Sequence, residues 1–139
     1  MFRRLQFAPE VESLVGFVEE TDPERIVEET VAKLRSGVPI KDMLRASALA
    51  VTRSTDVSVG HHGGPTHPMC GIYPAYHTSQ RLSGEWAFMP IVQNVALCNE
   101  HIHAPEMGPY IMAEVEPIQA KDVKGLLRKK YFKAFEGTL

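Results

Sequence analysis

Residues 60–81, GHHGGPTHPMCGIYPAYHTSQR, hold the side chains best suited to chemistry in this sequence. Four of its six histidines (His61, His62, His67 and His77) and one of its two cysteines, Cys70, fall there. Imidazole titrates near neutral pH, so such residues serve general acid–base steps and ligate metals. On a helix running from Thr66 to about Leu82, His67, Cys70, Pro74, His77 and Arg81 recur at spacings of 3, 4, 3 and 4. That spacing places them on one stripe. The stripe opposite, Met69, Ile72, Tyr73 and Tyr76, is the expected core face. Pro74 lacks an N–H and frees the carbonyl of Cys70, which predicts a kink.

The preceding loop, His61-His62-Gly63-Gly64-Pro65, reads in two ways. Paired glycines permit close backbone approach, and exposed N–H groups before a helix N-terminus suit an anion or oxyanion. Gly-Gly-Pro is equally what a sharp loop-to-helix turn requires. On the functional reading, His62, His67 and His77 are the catalytic candidates, with His61 behind them, and Gly63, Gly64, Cys70 and Arg81 would contact a cofactor. Cys70 in a first helical turn could be an activated thiol, although a buried, inert cysteine is the plainer expectation.

A second cluster, CNEHIHAPE, spans 98–106. Glu100 and His103 are three apart, as in the Glu-x-x-His arrangement of di-iron bundles, and Cys98 and His101 share that spacing. His67, His77, Glu100, His101 and His103 are therefore the metal-ligand candidates, and Fe, Mn, Zn or haem the groups they could carry. The chain has neither a second Glu-x-x-His nor a Cys-x-x-Cys pair. The competing reading makes these histidines caps, hydrogen-bonding groups or interface residues.

At 139 residues, one domain with a substantial core is expected. The opening MFRRLQFAPEVE has no apolar run after its arginines and predicts no signal peptide, and no stretch is apolar enough for a membrane span. Two cysteines make no disulfide framework, which predicts a cytoplasmic protein with free thiols.

Charge is unevenly placed. Residues 9–30 hold eight acids against Arg25, and residues 121–139 hold six bases against Asp122 and Glu136. Residues 57–99 contain only Arg81 and Glu85. Solvated faces are rich in Lys and Glu, so this middle stretch is expected in the core or in a large interface, and an oligomer or a subunit of a larger complex follows.

The elements that would position these residues are helical. Val11, Leu14, Val15 and Val18 stripe a first helix over 9–20. Asp22-Pro23 starts a second, striped by Ile26, Val27, Val31 and Leu34 and stopped at Gly37. A third covers 40–54, with Ile40, Leu44, Ala48 and Val51 inward; a fifth covers about 86–103, with Ile91, Val95, Cys98 and Ile102 inward. YIMAEVEP (110–117) alternates weakly and fits an extended segment. Residues 121–136 put Val123, Leu126, Leu127, Tyr131, Ala134 and Phe135 on one face and bases on the other. That basic helix is expected to dock on the acidic 9–30 region or on a partner subunit rather than on nucleic acid. Trp86, Phe88 and Met89 are expected in the core or an interface. The fold class is all-α, a single bundle of five to six helices.

The run His62-Gly63-Gly64-Pro65-Thr66-His67-Pro68-Met69, with Gly71-Ile72 and Tyr73 and Tyr76 after it, resembles a His-Gly-Gly-x-Thr-His-Pro-Leu stretch of the questin-oxidase-like proteins. The resemblance covers about 20 of 139 residues, and that family's chains are several times longer. It implies an all-helical oxidoreductase using NADPH in Baeyer–Villiger-type ring cleavage of aromatic polyketides. His62, His67 and His77 would then sit at the reacting or cofactor-contacting position. The expected function is redox chemistry on a small organic molecule in a histidine-lined pocket between the fourth and fifth helices. A non-catalytic helical subunit and a metal-dependent hydrolase are the alternatives.

Overall fold

The computed structural model describes residues 3–54, 66–105 and 111–114. Among them are five α-helices: α1 (Pro9–Glu20), α2 (Ile26–Arg35), α3 (Ile40–Ser54), α4 (Thr66–Ser79) and α5 (Met89–His103). A 3-10 turn, Gly84–Phe88, joins α4 to α5. The described residues contain no strand, and the domain is all-α. The only extended pairing among them is an antiparallel bridge between Arg4 and Ala113, which lies inside the expected extended segment.

Local chemistry explains where the helices start and stop. Pro9 stands at the first position of α1, where a missing N–H costs nothing. Asp22 Oδ1 accepts from Glu24 N–H at 2.8 Å, and the chain turns through Pro23 before α2 begins at Ile26. Gly37 adopts a φ of 99°, which an L side chain would resist. Val38 N–H reaches Lys33 O and Gly37 N–H reaches Leu34 O, the double closure that ends a helix on a left-handed residue.

α5 is the hub, packed against α1, α2, α3 and α4. Its Ile91, Val92, Val95 and Cys98 are buried with Val11, Val15 and Val18 of α1 and Met43, Leu44, Ala50 and Val51 of α3. Two buried amides on α5 tie it to its neighbours. Asn99 Nδ2 donates to Val18 O and Thr21 O, both at 2.8 Å, satisfying carbonyls at the end of α1 that have no helical partner. Asn94 Nδ2 donates to Pro68 O of α4 at 3.1 Å.

Three expectations about facing need correction. On α2 the buried row is Ile26, Thr30 and Leu34, leaving Val27 51% exposed, because α2 meets α5 along its i, i+4 row. On α3, Met43, Ala46, Ser47, Ala50 and Arg53 are also buried, since α1, α4 and α5 surround it. On α4, Pro68, Ala75 and Ser79 face inward with half-buried Ile72 and Tyr76, whereas Met69 and Tyr73 face out. The reason is size. Gly71, Ala75 and Ser79 are spaced four apart, and small residues at that spacing let two helix backbones approach. A Cβ on Gly71 would stand 2.6 Å from Asn94 Nδ2, so the large aromatic residues are left outside. Trp86 and Met89 are likewise exposed, and only Phe88 of that trio packs against the core. α4 ends at Ser79 rather than near Leu82 and runs through Pro74 as one helix.

Candidate functional site

The stripe on α4 is present as a surface feature. His67, Cys70, Pro74, His77 and the following Arg81 are all exposed. Two clefts among the described residues lie at α1–α2 and α2–α5, and none of these stripe residues lines either. His62, Gly63 and Gly64, with His61, lie outside the described residues, so the loop half of the expected site does too.

His77 packs within its own helix. Its ring centroid is 4.1 Å from that of Tyr73, one turn earlier, and 5.4 Å from Tyr76 in an edge-on arrangement. Lys41 Nζ sits 5.4 Å above the other aromatic surface, that of Tyr76. His67 and His77 are separated by ten residues of α4, about 15 Å along the axis at ~1.5 Å per residue. Ligands of one ion each lie about 2 Å from it. On one helix a single ion would therefore engage one of these two histidines rather than both.

The Asn94–Pro68 bond holds the start of α4 at the level of Asn94, six residues before Glu100 on α5. In the last turn of α5, His103 Nδ1 lies 2.9 Å from the Asn99 carbonyl, which can only accept, so the proton sits on Nδ1. Glu100 is exposed and His101 is half-buried. Among the described residues, no three His, Cys, Asp or Glu side chains converge as a metal site requires. Cys98, the neighbour once grouped with His101, is buried, and burial pushes its thiol pKa up to about 12. It is an inert apolar residue at the core. Cys70 is the exposed cysteine, contrary to the expectation of a buried one.

The strongest electrostatic feature lies elsewhere. Arg53 on α3 is fully buried and donates Nε to Glu19 Oε1 at 2.9 Å and Nη2 to Glu19 Oε2 at 2.6 Å. Its Nη1 donates to Glu12 Oε1 at 2.7 Å and to Leu5 O at 2.9 Å. Ser54 Oγ adds a bond to Glu19 Oε1 at 2.6 Å, Arg4 pairs with Glu19, and the Phe7 ring lies against the Arg53 guanidinium. Burial would raise the Glu12 carboxyl pKa, but the Phe7 N–H, Arg53 and Arg4 outweigh it and hold it below its ordinary value. Burial would likewise weaken the Arg53 charge, and its bonds to Glu19 and Glu12 outweigh that as well.

With two arginines and two carboxylates all engaged, this cluster clasps α1, α3 and the N-terminal segment together. Both carboxylates are taken up by these bonds, while the buried Arg4 Nε has no hydrogen-bond partner among the described residues. The cluster also accounts for part of the acidic 9–30 region, since Arg4 and Arg53 neutralise Glu12 and Glu19; the basic 121–136 segment lies outside the described residues. Sequence reading missed the cluster, although a signal exists. Glu19 continues the Val11–Val15 row at i+4, and Arg53 continues Met43–Ala46–Ala50, so each charge occupies a core position of its helix.

No family model, curated protein or solved structure matches the chain. Among the described residues, no helix is long and apolar enough to cross a membrane.

Proposed function

We propose that this chain is a helical subunit that buries the outer face of α4 against another protein surface, as a homo-oligomer or within a larger complex. The observation that carries this reading is the chemistry of that face. His67, Met69, Cys70, Tyr73, Pro74 and His77 are exposed, and residues 66–80 contain no Asp, Glu, Lys or Arg. Tyr73 is 72% exposed, and Leu82 and Trp86 continue the exposed apolar surface along the chain. Interface cores are enriched in Tyr, Trp and Met and depleted in Lys, Glu and Asp, whereas solvated helices such as α2 show the reverse. Two free thiols fit a cytoplasmic setting for such a subunit. The test is the mass of the assembly by light scattering and native mass spectrometry, for wild type and Tyr73→Lys. An assembly that Tyr73→Lys disperses at unchanged helix content supports the subunit. A wild-type monomer that recruits no co-expressed partner overturns it.

A second reading is histidine-based oxidoreductase chemistry on a small organic molecule, with the resemblance to questin-oxidase-like proteins behind it. It is favoured by the exposure of His67 and Cys70 at the start of α4, directly after His61, His62, Gly63 and Gly64 in the chain. His62, His67 and His77 would act as acid–base groups or ligands, with Fe, Zn or haem, or with NADPH if the resemblance holds. Metal analysis and an absorption spectrum of untagged protein decide it. Stoichiometric metal lost in His67→Ala supports a site, and a spectrum without a redox-active centre directs it to a metal-dependent hydrolase.

A further inference from the structure

We infer that this chain pairs with a second copy of itself, Trp86 of each copy seated in the apolar groove between α2 and α5 of the other. The inference rests on the reading of the chain as a subunit and names the partner which that reading leaves open.

The groove, about 520 Å³, is lined by Val27 and Val31 of α2, Phe88 of the 3-10 turn, and Met89 and Val92 of α5. Val27 and Met89 are 51% and 56% exposed, an open apolar mouth that solvent does not favour. Beside it stands the chain's one tryptophan, Trp86, 67% exposed. The turn explains why its indole is left outside. Residues three apart eclipse one another in a 3-10 helix. Glu85 and Phe88 form one such column and line the groove. Trp86 lies in the next column, one turn before Met89, whose N–H donates to Trp86 O. It is held at the groove's edge and does not itself line it.

A two-fold contact uses the same patch on both copies, so it needs a projection and a recess side by side on one surface. Residues 85–92 supply both, with α2 as the far wall of the recess. The charges agree with self-pairing. Arg35 and Glu85, the two charged residues among the described lining, are of opposite sign and 58% and 63% exposed. A second copy presents the same balanced pair and can set its Glu85 against Arg35, so no like charges are forced together. A strongly acidic or basic partner finds no net charge there to answer. Tryptophan is among the residues most enriched as interface anchors in pockets, and burying one removes about 150–250 Å² from water. Two reciprocal insertions, with the linings they cover, make a contact at the small end of specific interfaces, which predicts a reversible dimer.

The test follows mass by light scattering and the emission of Trp86 across a dilution series of the full chain. Dilution to monomer should shift that emission to the red and open the indole to iodide quenching. Trp86→Ala and Val27→Glu, both at exposed positions, should each raise the dimer's dissociation constant at least about tenfold at unchanged circular dichroism. An equal mixture of the two variants regains one intact insertion per pair and should dimerise more tightly than either alone. A dimer that Tyr73→Lys disperses, but that keeps its mass in Trp86→Ala and Val27→Glu, overturns this contact and leaves the α4 reading standing. Dispersal by the groove variants and not by Tyr73→Lys supports this contact and removes α4 from the interface. Trp86 already shielded in the monomer assigns the groove's cover to the chain itself and overturns the inference. A wild-type monomer at every concentration overturns it too, and the α4 reading then turns on recruitment of a co-expressed partner.

Discussion

Arg53 and Glu19, 34 residues apart in sequence, face each other through two parallel hydrogen bonds at the closed centre of the α1–α3 contact. Each is nearly inaccessible to water, so neither charge can be solvated if the other is removed. Truncating one partner of such a pair typically costs about 3–5 kcal/mol, because a buried charge is left uncompensated. Arg53→Met should therefore lower unfolding stability by that amount in urea titration. Arg53→Met with Glu19→Met should recover much of the loss, since the pair's net contribution over apolar residues is small.

Acid should loosen the same contact through Glu12. Its folded pKa lies below the ordinary value of 4.5, so its contribution to stability is fully present above pH 4.5 and is lost as pH falls below it. Stability measured from pH 6 down to pH 3 should fall less steeply in Glu12→Gln than in wild type. Equal slopes would show that Glu12 gains nothing from Arg53.

Gly71 sets the distance between α4 and α5. An alanine there meets Asn94 Nδ2 at 2.6 Å and must displace the amide from Pro68 O. Overpacking of this kind costs ~1–3 kcal/mol. The helix-propensity gain from glycine to alanine returns about 1 kcal/mol. Gly71→Ala should thus lower the melting temperature in wild type and raise it in an Asn94→Ala background, where the obstruction is gone. A loss of equal size in both backgrounds would place the strain elsewhere.

The two cysteines should separate cleanly. Cys70 is exposed, while Cys98 is buried with its thiol pKa pushed up to about 12. A thiol-reactive dye at pH 8 should label one cysteine in the native protein and two in denaturant, with Cys70→Ser abolishing the native signal. If α4 is covered in the assembly, dilution to monomer should speed labelling of Cys70.

The helices were legible because their signals are local. Pro9 starts α1, Gly37 ends α2, and apolar residues at i, i+3 and i+4 give α1, α3 and α5 their inward faces. The facing of α4 was not legible by the same rule. Hydrophobicity favours Met69 and Tyr73 as core, but the neighbouring helix leaves no room for even a Cβ at Gly71, and Pro68, Ala75 and Ser79 are the buried residues instead. The charge-poor span 57–99 divides for the same reason. α5 is charge-poor because it is the core, whereas α4 is charge-poor on a face that remains open.

What the sequence determined by itself is the helical class, the helix boundaries near their caps, and the set of histidines and cysteines from which any site must be drawn. Tertiary structure decided which of them can meet. A helix fixes His67 and His77 about 15 Å apart along one axis, and the bond from Asn94 to Pro68 holds the start of α4 at the level of Asn94, six residues before Glu100. It also decided that Arg53 and Glu19 lie inside. Each residue's helical register marks an inward position, but only the packing of α1 on α3 brings a buried cation to a buried carboxylate and makes both tolerable.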